Sequence, residues 1–172
     1  MVITLSQKDT IRKLLDGDIS HAEGMGTVAS GSYSHAEGAG AEASGNASHA
    51  EGTGTLAEGY ASHAEGYSTK ASGEGSHAEG YLTTAFSTYQ HVQGRCNIED
   101  ANNTYAHIVG NGERGDSRSN AHTLDWEGNA WFAGSVVTGG DKGVQLIYDE
   151  EEDALRFIFL SSTSTPDEEP TE

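Results

Sequence analysis

Six histidines recur at one fixed interval in this chain: His21, His35, His49, His63, His77 and His91. A glutamate lies two positions after each of the first five, at Glu23, Glu37, Glu51, Glu65 and Glu79, within a recurring Ser-His-Ala-Glu-Gly. An imidazole that titrates near neutrality beside a carboxylate is a pair from which acid–base catalysis and metal binding are built. On a strand, positions i and i+2 share a face, so each His and its Glu point the same way. The pattern departs from hydrolytic zinc sites, where two His at i and i+4 of a helix are joined by a third ligand from elsewhere. A catalytic site also needs distinct roles converging on one point, whereas these rows are alike. No catalytic residue, cofactor or resident metal is expected. Three symmetry-related imidazoles could give an ion three nitrogens, but a hydrogen-bonded polar ladder is the simpler expectation. The chain carries no nucleophile elbow, phosphate-binding loop or dinucleotide fingerprint. Cys96, beside Arg95, reads as a small buried residue and not as a reactive thiol.

The ladder needs a scaffold that repeats with it. In rows of 14 the chain reads SHAEGMGTVASGSY, SHAEGAGAEASGNA, SHAEGTGTLAEGYA, SHAEGYSTKASGEG, SHAEGYLTTAFSTY and QHVQGRCNIEDANN. Each row holds two alternating segments closed by small residues, and a fixed period of this kind predicts a solenoid with one coil per row. Two strands of about five residues and two tight turns fill such a coil. Ala22, Ala36, Ala50, Ala64, Ala78 and Val92 form one column, and Ala29, Ala43, Ala57, Ala71 and Ala85 another. Both suit the inside of a flat coil. Val28, Glu42, Leu56, Lys70 and Thr84 share a column that accepts almost anything, which predicts exposure to water. The His and Glu columns barely vary, so a repeated and demanding environment is expected there.

Composition narrows the partners. The 172 residues include 9 Lys and Arg against 27 Asp and Glu, a net charge of −18. Nucleic acid and anionic membrane surfaces repel such a chain, and no segment is long and apolar enough for membrane insertion. Only 34% of residues are hydrophobic and Gly supplies 23, so an Ala-lined coil buries too little to stand alone. The missing apolar contact is expected from other copies of the chain, across the His and Glu face. One cysteine excludes an intrachain disulfide, and "MVITLSQKDTIRKLLDGDI" lacks the apolar run of a secretory signal. Synthesis and retention in a cytoplasm follow as the expectation.

Rows of SHAEG with TVASG or TKASG resemble the 14-residue head repeats of trimeric autotransporter adhesins, whose related rows carry aliphatic residues at the His and Glu positions. The polar SHAEG form is similar to tail-fibre and minor tail proteins of phages and prophages of Gram-positive bacteria. QHVQGRCNIED, YAHIVGNG and SNAHTLDWEGNAWFAGSV continue that resemblance over residues 20 to 138. It implies an all-β fold, a left-handed parallel β-roll with three chains around one axis, followed by β-hairpin fibre modules. It further implies a virion protein made in the bacterial host cytoplasm, attached to other virion proteins through its N-terminus and binding a host-surface glycan or protein. An autotransporter would require a secretion signal and a membrane anchor, which disfavours a cellular adhesin. The alternatives are a head fibre or capsid decoration protein, and a fibre-borne glycan depolymerase with paired acids.

The flanks divide by composition. Residues 1–19 read as an adaptor with a short helix, capped near Ser6 and Asp9 and carrying Ile11, Leu14 and Leu15 on one face. Residues 20–103 are the β-roll. In the β-rich fibre segment 104–140, Asp125, Gly128 and Asn129 signal a hairpin. Trp126, Trp131 and Phe132 are candidate receptor-facing aromatics there, with packing the more ordinary role. Residues 141–160 read as a C-terminal hairpin around a solvated acidic loop, and 161–172 as an acidic disordered tail.

Overall fold

The computed structural model describes residues 14–15, 19–114, 116–134, 136–138, 144–149 and 154–159. All regular structure among them is β, and the repeat forms a β-solenoid of stacked coils. In the third row the chain runs extended through His49–Thr53, turns at Gly54, runs extended again at Leu56–Ala57, and turns back by Ala61. The neighbouring rows repeat this path in register, with His35 beside His49 and His49 beside His63. The second strand is shorter than expected. Each turn uses a residue at positive φ, such as Gly54 at 63° and Ala61 at 52°, and these bends leave only Leu56 and Ala57 extended between them.

Two sheets result. One runs in the order Leu14–Leu15, Val28–Ala29, Glu42–Ala43, Leu56–Ala57, Lys70–Ala71, Thr84–Ala85. The other contains nine strands. From its edge it runs His21–Met25, His35–Ala39, His49–Thr53, His63–Tyr67, His77–Tyr81, His91–Arg95 and Tyr105–Asn111. The strands Asn120–Asp125 and Ala130–Phe132 complete it. All neighbours up to Tyr105–Asn111 are parallel, and Asn120–Asp125 then reverses direction.

Alternation places both Ala columns inside, fully buried, as their small size predicted. Every buried member of the core cluster is alanine except Val92 and Ile108. A polar inner rim accompanies it. Ser34, Ser48, Ser62 and Ser76 each donate a hydroxyl hydrogen bond to the carbonyl of the Gly one turn earlier, at 2.6 to 2.8 Å. These bonds satisfy the turn backbone where the coil is too thin to admit water.

The sixth row closes the stack with its own chemistry. Gln90 takes the Ser position, accepts from Phe86 N–H, and donates to Asp100 and to the Tyr105 carbonyl. Asp100 also accepts from the backbone of Asn102, Thr104 and Tyr105. Asn97 pairs in both directions with the Thr84 backbone. Thr84 is consequently buried, unlike the water-facing place expected from its column. The column faces outward in earlier rows; here the 97–99 segment covers it.

Leu14 and Leu15, expected on a helical face, are instead extended and pair in parallel with Val28 and Ala29. They stand one full row before those partners and so obey the repeat, because "LLDGDI" matches "VASGSY" in spacing. Residues 1–13 and 16–18 of the expected adaptor lie outside the described residues, as do the loop 150–153 and the tail 161–172. The chain divides into two units at Trp131 and Phe132. In the second unit, Val144–Asp149 and Ala154–Phe159 form an antiparallel pair, and Val136–Thr138 adds a third strand beside Val144–Asp149.

Candidate functional site

The outer face of the nine-stranded sheet carries the ladder. His and Glu flank each buried Ala of Ser-His-Ala-Glu-Gly, so the pleat projects both outward. The imidazoles stack along the coil axis. From His21 to His91, successive ring centroids are 4.7 to 4.9 Å apart. From His35 to His91 the planes lie within 11° of parallel.

The file is longer than the six rows. His107 lies against His91 at 5.2 Å with its ring tilted by 38°, and His122 follows at 5.6 Å tilted by 60°, so all eight histidines of the chain form one file. These two were not among the predicted site residues. The signal was present: His107 and Gly110 keep the His and Gly positions of the row, and His107 pairs with His91. The step from His91 to His107 is longer than one row, because Asn97 to Thr104 build the closing loop, and a strictly periodic frame passes over it.

Glutamate partners change along the file. His21 and His35 lie nearest their own Glu23 and Glu37, at 3.9 Å. Glu51 sits between His49 at 4.0 Å and His63 at 3.8 Å. Higher up, His77 and His91 meet the glutamate of the preceding coil, Glu65 and Glu79, at 3.3 Å. The hydrogen-bonded ladder expected from sequence is therefore complete at His77 and His91 but not throughout. Nε2 of His35, His49 and His63 is shielded from solvent without a hydrogen-bond partner. In front of the Glu column an open groove of 530 Å³ is lined by Glu23, Glu37, Glu51, Glu65 and their following glycines.

Burial holds His63 below the ordinary imidazole pKa, reinforced by His77 and His49 on either side and opposed by Glu65 and Glu51. Burial likewise lowers His107, with His91 and His122 adding to it and Glu79 opposing. Both groups thus favour the neutral form in the folded chain. As pH falls, the unfolded chain takes up these protons first, near the usual value of 6.5. The stability they contribute is full above that value and is lost as pH drops through it towards the depressed folded value. In chelating buffer, the melting temperature is expected to decrease between about pH 7.5 and about pH 5.5, and less steeply in H63Q/H107Q. Melting that rises on acidification would reverse the sign.

Among the other candidates, Cys96 is fully buried, as expected. A turn forms at the predicted place: Asp125 accepts from the Asn129 backbone at 2.7 Å and side chain at 2.8 Å. These bonds keep the Asp125 carboxyl below the usual range. Trp126, Trp131 and Phe132 are each about half exposed. A second aromatic feature, absent from the predicted set, is the stacked pair Tyr67 and Tyr81 at 5.4 Å, at the ends of the strands that carry His63 and His77. Their place two positions beyond Glu65 and Glu79 made it readable.

Fold and face together define a repeat β-solenoid that displays one titratable column and one acidic column. In comparison with known proteins, the chain matches no protein-family model, no curated protein sequence and no solved structure.

Proposed function

We propose that this chain is a structural and adhesive virion protein, a trimeric phage tail fibre or appendage that presents a surface for a host glycan. The observation that carries the reading is the mismatch between its interior and its surface. The core is almost entirely alanine, while Met25, Tyr33, Tyr60, Tyr67, Phe86 and Tyr89 are 45 to 65% exposed. Apolar side chains of this size, ranked outside a thin coil, fit contacts between copies around a common axis. The likeness of the repeats to phage fibres supplies the class, and exposed Trp126, Trp131 and Phe132 supply candidate stacking surfaces for sugar. In this reading the N-terminus attaches to other virion proteins.

The purified chain is expected to be a trimer by native mass spectrometry, with no folded monomer on dilution. An antibody against it should decorate an appendage of the particle and block adsorption to host cells. A stable folded monomer, or absence from purified virions, would sink the proposal. A head fibre or capsid decoration protein would share these features and differ in the labelled position. A depolymerase would need one carboxylate chemically unlike its partner, whereas the glutamates here repeat one placement on successive coils.

A further inference from the structure

The middle of the ladder combines two unfavourable features. Three imidazole nitrogens, on His35, His49 and His63, are buried without a hydrogen-bond partner. The carboxylates they face lie at 3.8 to 4.0 Å, beyond hydrogen-bond reach. Beside them, glutamates of adjacent coils stand in register about 4.8 Å apart, the spacing of neighbouring strands, and repel one another. A cation between a nitrogen and two carboxylates relieves both.

Three sets of side chains place an imidazole nitrogen beside two carboxylates: Glu37, His49 and Glu51, and Glu51, His63 and Glu65, both with an unpartnered nitrogen, and Glu65, His77 and Glu79, whose nitrogen already meets Glu65 at 3.3 Å. Within each set the ligand atoms lie within 4.8 Å of one another. The groove lined by Glu37, Glu51 and Glu65 gives an ion and its water direct access to the first two sets and to the Glu65 side of the third. We propose that the ladder binds divalent transition-metal ions of the zinc class, each held by one imidazole nitrogen and two carboxylates, with water completing the shell. The nitrogen selects against calcium and magnesium, which take oxygen ligands. Zinc bonds to nitrogen and carboxylate oxygen are about 2.0–2.2 Å long, so the partly exposed glutamates must close inward by roughly an ångström.

The sets are not independent. The first and third share no ligand, whereas the His63 set takes Glu51 from one and Glu65 from the other. Two ions per chain therefore bind first, at His49 and His77, and a third competes for their carboxylates. The inference rests on the geometry of a single chain and stands apart from the virion reading.

The test uses the full chain, stripped with chelator and titrated with zinc chloride by calorimetry. Cobalt(II) absorption serves as a second readout of nitrogen ligation. Two tight sites per chain are expected, with a rise in melting temperature on saturation. H49Q and H77Q should each lose one tight site, and H63Q should keep both. Melts in chelator establish that each variant is folded; should H49Q not fold, E37Q reads the same site. Three equal sites, each removed by its own histidine substitution, would overturn the sharing of Glu51 and Glu65 on which the count of two rests. No zinc binding, equal binding of calcium, or zinc binding indifferent to H49Q and H77Q would overturn the proposal, the last two revealing a plain polyanion.

Discussion

Replacing Gly52 by alanine is expected to abolish stable folding, at a cost above about 4 kcal/mol per chain. Gly52 has φ +110°, and a Cβ placed there would lie 2.2 Å from the Gly66 carbonyl oxygen of the next coil. That oxygen belongs to backbone and cannot swing aside. Relief would require separating two coils whose spacing is held by parallel hydrogen bonds in every row. Gly54, on the following turn, is the control. Its φ is +63°, and its Cβ would meet nothing nearer than Ser68 Oγ at 3.4 Å. Sister coils already hold Ser68, Leu82 and Cys96 at this place, with φ between 43° and 52°. Alanine there should cost about 1 kcal/mol. Circular-dichroism melts of both variants check the contrast. A Gly52→Ala protein that melts like the parent would mean that the coils do not approach so closely.

Ala50→Leu carries the second large effect. Ala50 is fully buried, in register with Ala36 below and Ala64 above. The added carbons must enter an interior already filled by methyl groups, and overpacking of this sort costs about 1–3 kcal/mol or more. Leu56→Gln on the outer face of the short-strand sheet should be nearly silent, because its column already accepts Glu42 and Lys70. Urea titration ranks the two. The opposite order would exchange the inside and outside of the coil.

Much of this architecture is written in the columns. A position held by Ala through the first five rows must be inside, because a thin coil favours the smallest side chain there, and one that varies from Glu to Leu must be outside. The repeating solenoid, the buried Cys96 and the turn at Asp125 follow from such local rules. What escaped the sequence has a common cause. His107 and His122 join the file only after the closing loop changes the step, so their place depends on Gln90, Asn97 and Asp100 bracing the last coil. Thr84 is buried for the same reason: a later segment, carrying Asn97, folds over it. The change of His partner, from its own Glu to the preceding one, depends on side-chain rotation that identical pentapeptides cannot reveal. Leu14 and Leu15 fit a helical spacing too, but the period of the rows is the stronger signal and sets their pairing with Val28 and Ala29.

The matching of every coil to the next has a consequence for length. Within the middle of the stack, the partners that His49 finds in His35 are those that His63 finds in His49. Removing one whole row therefore lets the coils on either side close over the gap with their contacts intact. A deletion one position longer or shorter than a row instead sets Ala against Glu. The stack of coils can thus change in steps of about 4.8 Å, one strand spacing at a time. At the level of the gene, recombination between near-identical repeats is a graded ruler. The row of Gln90 and Asn97 lies outside this exchange, since its bonds to Asp100 and Thr84 fit one end of the stack and no other place in it.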